Sequence, residues 1–506
     1  MSHLTRGKIL VMLLVFLLLT VLSIFNIIAI SYILVVLLVA GIGVFIHDVF
    51  QTKHTILRNY PLIGRLRFVA EDERSKIQQY AIEDNINGTP INREKRSDIY
   101  QKAKQDQNTV PFGSQLNMYL EGYEHIKHSL YPIDHRRISE PRNLIGSKFC
   151  KKPYSASILN ISAMSFGALS DVAVKALNGG AKLGNFFHNT GEGGLSPHHL
   201  EYGADICFQV GTGYFGCGKD IDGVRYFDNE IFKANALRPQ VKMVEIKLSQ
   251  GAKPGHGGVL PALKNTVEIS TIRNTTPGTE VLSPPYHTAF TNAETMVSFI
   301  NKVRILCEYK PVGIKLCLGH IKEFEELVIK MKELDCYPDF ITLDGAEGGT
   351  GAAPLVFCNY VGTPLIDALI NINKILVKHG LRNDIKIIAS GKVSTSFDIV
   401  KLIALGADGL NAARGFMLSL GCIQARECDK NTCPIGIATQ DPALTRGLNP
   451  AEKRVRVFHW HEGVIEEVKQ LMGAMGINDV AKLDTSMVDI RHEGTLQSYQ
   501  TLTNGN

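Results

Sequence analysis

The chain has no dense cysteine framework, no aromatic-interleaved basic stripe, and no charged residue at all from Ile9 to Ile46. Each absence excludes something. Ten cysteines scattered irregularly over 506 residues are not the disulfide scaffold of a small secreted domain, and a reducing compartment is the default. A formal charge of +5, from 54 basic against 49 acidic residues spread along the chain, gives nucleic acid no electrostatic footprint, so no nucleic-acid partner is expected. With 45% apolar and 20% charged residues the composition is globular rather than disordered. The length suits one large α/β barrel with accessory segments, and 46 glycines suit tight or ligand-approaching loops.

The uncharged front is too long for one ordinary span, since a helix crosses the hydrocarbon in roughly 20 residues. It reads as a transmembrane hairpin, 1–50, with spans over 9–25 and 28–46 and Asn26 near the turn. Arg6 and Lys8 flank the first span and Lys53 and Arg58 follow the second, so both ends are expected in the cytoplasm and the chain at the cell membrane. The alternative is a signal peptide, whose apolar core is usually only about 7 to 15 residues. Residues 51–150 turn polar and read as a linker or N-terminal extension.

From Cys150 onward eight short apolar runs recur at the spacing of alternating strands and helices: 158–162, 185–189, 206–210, 243–249, 312–317, 340–345, 385–390 and 409–413. Nearly every run leads into a Gly-rich or polar segment: SAMSFGALS, TGEGGLSP, GTGYFG, SQGAKPGHGG, GAEGGTGA, SGKVS and AARGF. Such loops meet at the C-terminal mouth of a (β/α)8 TIM barrel, predicted here over 151–450, with 451–506 as a C-terminal helical extension. Loops after the seventh and eighth strands of such barrels hold phosphate on backbone N–H groups. Ser390, Gly391 and Lys392, then Ala413, Arg414 and Gly415, occupy those places, and an FMN phosphate fits them. Gly211, Gly213 and Gly216 satisfy G-x-G-x-x-G, but the residues after them do not open an amphipathic helix, so no nicotinamide-binding domain is expected.

Cys422, Cys428 and Cys433 lie in the segment 421–434 at C-x5-C-x4-C spacing, with a proline after the last. Three thiolates suit an iron-sulfur cluster. Zinc is the rival, with His459 or His461 returning in space as a further ligand.

With SAMSFGALS, TGEGG, QGAKPG, SPPYH, GGTGAAP and GCIQARECDKNTCPIGIATQDP on the page, the chain resembles, over about 155–447, the FMN-binding synthase domain of glutamate synthases. The resemblance implies an FMN barrel that converts 2-oxoglutarate to glutamate through 2-iminoglutarate, with electrons passing through a 3Fe-4S cluster on Cys422, Cys428 and Cys433. It implies that Glu192 works beside ammonia and flavin, that Lys253 and Arg273 bind the two-carboxylate substrate, and that Lys315, Ser165 and Gln250 contact the flavin. Two positions depart from the family pattern: His256 replaces a glutamate and Val259 a substrate-holding glutamine. The family's ammonia-releasing amidotransferase domain and its reductase subunit have no counterpart in this sequence, which implies a separate ammonia-supplying subunit and ferredoxin or a separate reductase as electron donor. Three functions stay open: reductive amination of 2-oxoglutarate; the same cofactors acting on another 2-oxo acid, an N-substituted glutamate or a membrane redox carrier; and a non-catalytic membrane scaffold.

Overall fold

A computed structural model describes residues 14, 15, 17, 27–106 and 109–504. The chain divides into two compact units, Met1–Glu83 and Asp84–Asn506, so the polar stretch 51–150 is shared between them.

The first unit is helical. Helix α1 (Ile27–Phe50) is mostly apolar up to Ile46 and ends in the polar pair His47 and Asp48, and residues Arg65–Ile77 form a further helix with no buried side chain. Arg65 closes a forked ion pair on the buried carboxylate of Asp48, at 2.6 Å from Oδ1 and 3.0 Å from Oδ2. Of the expected membrane hairpin, the first span falls outside the described residues except at 14, 15 and 17. Among the described residues no helix is long and apolar enough to cross a membrane.

The second unit is built on a closed barrel of eight parallel strands: β1 (Leu159–Ile161), β2 (His188–Asn189), β3 (Ile206–Val210), β4 (Val241–Lys247), β5 (Val312–Leu316), β6 (Phe340–Asp344), β7 (Lys386–Ser390) and β8 (Gly409–Ala412). Neighbours in space are neighbours in sequence, and β8 closes on β1 with Leu410 opposite Leu159. Each predicted run overlaps its strand, and seven of the eight contain it; the fourth strand starts at Val241, two residues before the predicted run 243–249. Strands covered on both faces need side chains that tolerate burial on both, and every residue of β3, β5 and β6 is buried. The predicted second run is the longest overestimate, because Phe186 leaves the ladder to stack on Phe416 and His461.

Four helices fix how the barrel is wrapped. They are α2 (Arg93–Lys104), α3 (Asp171–Leu183), α4 (Ser396–Ala404) and α5 (Arg414–Leu420), and all pack on the 25-residue helix α6 (Pro450–Ala474). Ser170 caps α3 through the Ala173 N–H, and Thr395 and Asp398 form a reciprocal capping box on α4. α6 lies against α3 because Gly180 has no side chain: a Cβ there would stand 2.2 Å from Val457 Cγ1. The C-terminal segment is not wholly helical, since Val488–His492 and Thr495–Ser498 form a sheet with Glu124–Ile126.

Candidate active site

The strand ends and the loops after them enclose a cavity of about 920 Å³ at the barrel mouth, in the range of small-molecule and cofactor sites. Its charged floor starts at the end of β4. Lys247 Nζ lies 2.8 Å from Glu192 Oε1 and donates to Gln250 Oε1 at 3.0 Å. Burial pushes the Glu192 carboxyl up, but Lys247, with Arg273 and Lys253 behind it, pulls harder and holds the group below the ordinary carboxylate range. Lys253 is buried and donates to Ala352 O at 3.0 Å; burial draws its pKa below that of an ordinary lysine, against the pull of Glu192.

Arg273 ends the helix Val267–Arg273, which Thr266 caps at its start. Its guanidinium donates to Phe166 O at 2.9 Å and Ser165 Oγ at 3.3 Å, while its buried Nε has no partner among the described residues. Burial lowers its pKa to about 10, and Glu192 opposes the fall. Two glycines of the recognised motifs make room for it. A Cβ on Gly193 would stand 2.7 Å from Arg273 Nη2, and one on Gly167, which holds φ +105°, 2.9 Å.

On β5, Lys315 Nζ stands 3.5 Å from Asp344 Oδ2, which also accepts the Gly251 N–H at 2.9 Å. Burial would lower the Lys315 pKa, yet Asp344 and Glu245 outweigh it and raise it. Beneath these groups Glu245 accepts from Asn189 (2.9 Å), Gln209 (2.5 Å) and Thr342 (2.5 Å), so the buried polar layer is tied strand to strand.

The loops after β7 and β8 divide. Lys392, Ala413 and Arg414 line the cavity; Ser390, Gly391 and Gly415 do not. Arg414 donates to Glu347 O at 2.9 Å, and burial depresses both its pKa and that of Lys392, the latter further through Arg414 itself. Gly415 has a steric task in the structure. A Cβ there would sit 2.4 Å from the ring of fully buried Trp460, so the glycine admits the indole. Ser390 is occupied by the barrel, its carbonyl accepting Gly345 N–H at 2.8 Å.

Cys422, Cys428 and Cys433 line the far end of the same cavity, and all are free thiols. Burial pushes Cys422 up to about 11 and raises Cys428, with the neighbouring thiols adding to both. His461 is no partner to them: its Nε2 is engaged with Ser157 Oγ at 3.0 Å and Leu159 O at 3.1 Å. Among the described residues no group of three or more His, Cys, Asp or Glu side chains is gathered as the ligands of one metal ion.

Residues 91–478 match the family model described as the conserved region in glutamate synthase. The chain belongs to the glutamate synthase family. It is 37% identical over 490 residues to the glutamate synthase large subunit-like protein YerD of Bacillus subtilis (strain 168), covering 89% of this chain and 92% of that one. It is also similar to an archaeal-type glutamate synthase (NADPH) of Thermotoga sp. (strain RQ2), 35% identical over 340 residues, 67% of this chain and 63% of that one. The archaeal glutamate synthase (NADPH) of Methanocaldococcus jannaschii is 36% identical over 324 residues, 64% of this chain and 60% of that one. The chain thus spans less than two thirds of the two archaeal-type relatives. Membership carries glutamate synthase-like oxidoreductase chemistry.

Within that family pattern the two departures separate in space. Val259 lines the cavity, whereas His256 is exposed outside it, with Nδ1 2.9 Å from Gly257 O and its ring edge-on to Phe357 at 5.3 Å. The residues that the sequence reading missed are Lys247 and Glu245. Both stand in the apolar run of β4 two positions apart, hence on one face, and paired charges on one face of a buried strand are the signal that marks them. The G-x-G-x-x-G segment leads into a hairpin, Gly218–Ile221 with Val224–Phe227, rather than a helix.

Proposed function

We propose that the cavity holds FMN and that the chain reductively aminates 2-oxoglutarate to glutamate with ammonia supplied from outside. The observation that carries this reading is the set of four buried cations, Lys247, Lys253, Arg273 and Lys315, that line one cavity at the barrel mouth together with the half-buried carboxylate of Glu192. A dianionic substrate calls for such cations, and a planar guanidinium suits a carboxylate. Arg273, with its free Nε, and Lys253 bind the two carboxylates. Glu192, held ionised by Lys247, orients ammonia and moves a proton at its Oε atoms. Lys392 and Arg414 are the cations that hold the FMN phosphate, Ser165 and Gln250 flank the ring, and Lys315 favours a reduced, anionic ring. When bound, FMN supplies the hydride chemistry that no side chain has.

The donor set Cys422, Cys428 and Cys433 fits an iron-sulfur cluster, 3Fe-4S by the number of thiolates. One zinc ion would draw all three sulfurs to about 2.3 Å of a single point, whereas a cluster spaces its ligands around the end of a cavity. Electrons then come from ferredoxin or a separate reductase, and ammonia from a separate subunit. The uncharged stretch before residue 47 is the basis for a membrane hairpin that leaves the barrel in the cytoplasm; a reporter fused after residue 60 tests it, and a reporter found outside the cytoplasm overturns it.

A second reading, a different 2-oxo acid, an N-substituted glutamate or a membrane redox carrier, rests on Val259, which offers the substrate no hydrogen bond. Anaerobically reduced protein is mixed with a panel of 2-oxo acids plus ammonia, and flavin absorbance is followed. Reoxidation by 2-oxoglutarate only with ammonia supports the first reading; indifference to it, with turnover of a monocarboxylic acid or a quinone, replaces the first with the second.

A further inference from the structure

The loop that carries the cysteines has little structure of its own. Between α5 and Pro442 it forms no helix or strand, and Gln424 and Arg426, between the first two cysteines, hold φ of +56° and +60°. Non-glycine residues adopt that left-handed region at a cost of roughly 1–2 kcal/mol each, and such strain persists only where surrounding structure over-determines it.

The over-determination comes from a segment far upstream. Thr89, Pro90 and Ile91 line the same cavity as Cys422. Ile91 N–H donates to Gln424 Oε1 at 3.2 Å, and Gln424 Nε2 donates back to Ile91 O at 3.3 Å. One strained residue is thus clasped twice. The other, Arg426, donates to Thr89 O. Tyr100, on α2, donates its hydroxyl to the carbonyl of Cys422 itself at 2.5 Å. α2 is anchored in turn, since it packs on α5 and α6. From the inner side buried Lys264 donates to Cys428 O at 2.6 Å and Ala438 O at 2.7 Å.

We infer that Gln424 and Tyr100 are positioning residues for the cysteine loop: through them the segment 89–100 sets Cys422 at the cavity edge and closes that edge to water and oxidants. The inference rests on the cluster reading for its consequence and on the hydrogen bonds alone for its mechanics. Residues 89–91, read from sequence as part of a spacer, line the cavity beside the cysteine loop.

The test uses the full chain with Gln424→Leu, which removes both clasp bonds, and Tyr100→Phe, which removes one oxygen. In cofactor-stripped protein, alkylation of Cys422 is timed by mass spectrometry, with buried Cys317 as the internal control. Ten-fold or faster modification of Cys422 is expected in Gln424→Leu and a smaller acceleration in Tyr100→Phe, with Cys317 unchanged. As purified, both variants are expected to lose iron faster in air and to show a shifted cluster potential, with FMN content retained. Wild-type alkylation rates in both variants overturn the inference. If Gln424→Leu lowers the melting temperature and exposes Cys317 as well, Tyr100→Phe decides. If the wild-type chain holds no iron under any reconstitution, the cluster reading fails, and the alkylation arm still decides whether the clasp positions Cys422.

Discussion

The two ends of the cavity are built in opposite ways. At the barrel end Lys247, Lys315 and Asp344 sit on strand termini and Arg273 on a helix end, and two of the cations have fixed counter-charges: Lys247 with Glu192, Lys315 with Asp344. At the other end three thiols sit on a loop held by Ile91, Tyr100 and Lys264. Side chains on a rigid scaffold keep their geometry when one neighbour changes, whereas a loop keeps it only while its partners remain. Damage at the barrel end is therefore expected to alter chemistry with the cofactors retained. Damage at the cysteine end should alter cofactor content first.

The widest separation is expected between Cys428→Ser and Arg273→Ala. Cys428→Ser should remove iron from the purified protein, from about three per chain to essentially none, with FMN retained. Arg273→Ala should leave iron and FMN in place while reoxidation by 2-oxoglutarate plus ammonia falls by roughly 10²- to 10³-fold, the scale of losing one preorganised donor. Metal analysis, flavin release and stopped-flow absorbance read both. Iron loss in Arg273→Ala would erase the distinction between the two ends.

A second, smaller effect concerns pH. Glu192 is half-buried, and Lys247, Arg273 and Lys253 hold its carboxyl below its ordinary 4.5 against the desolvation that would raise it. A depressed folded-state pKa contributes stability that is present above about 4.5 and lost as the pH falls through the lowered value. Lys247→Met leaves burial as the larger influence, so the Glu192 carboxyl should titrate above its ordinary range, and the acid limb of the reoxidation profile should move to higher pH. The cofactors should stay. An unmoved acid limb would mean that Glu192 is not the group that titrates there.

The same contrast governs what was legible in the sequence. All eight strands could be read, because a strand buried on both faces leaves an uninterrupted apolar run and the chemistry gathers in the loops after it. Lys253, Arg273 and Glu192 were legible through the motifs around them, and they do share one cavity. Lys247 and Glu245 were not, because a charge inside an apolar run looks like an interruption until the barrel turns it inward against Glu192 or Gln209. The steric task of Gly415, which admits Trp460, was not legible, because sequence does not show what a glycine stands against. Nothing local marked Thr89–Ile91 as a wall of the site, since the bonds from Ile91 to Gln424 join residues 333 positions apart.

The finest comparison lies inside the barrel end, between the two positions that depart from the family pattern. Val259 faces the cavity and His256 does not. A hydrogen bond to a charged group contributes about 1.5 to 3 kcal/mol, so Val259→Gln should tighten 2-oxoglutarate roughly ten-fold, read as its KM in the reoxidation assay. His256→Glu restores the family residue equally well on paper, but the side chain is exposed and its one polar contact is Gly257 O at 2.9 Å. An exposed charge near a site is screened by solvent and salt and contributes little. The expected outcome for His256→Glu is a KM within about two-fold of the wild type at physiological ionic strength, with FMN and iron unchanged. A change as large as that of Val259→Gln would place the 256 side chain in contact with bound substrate, and the loop over 254–258 would have to fold inward on binding to bring it there.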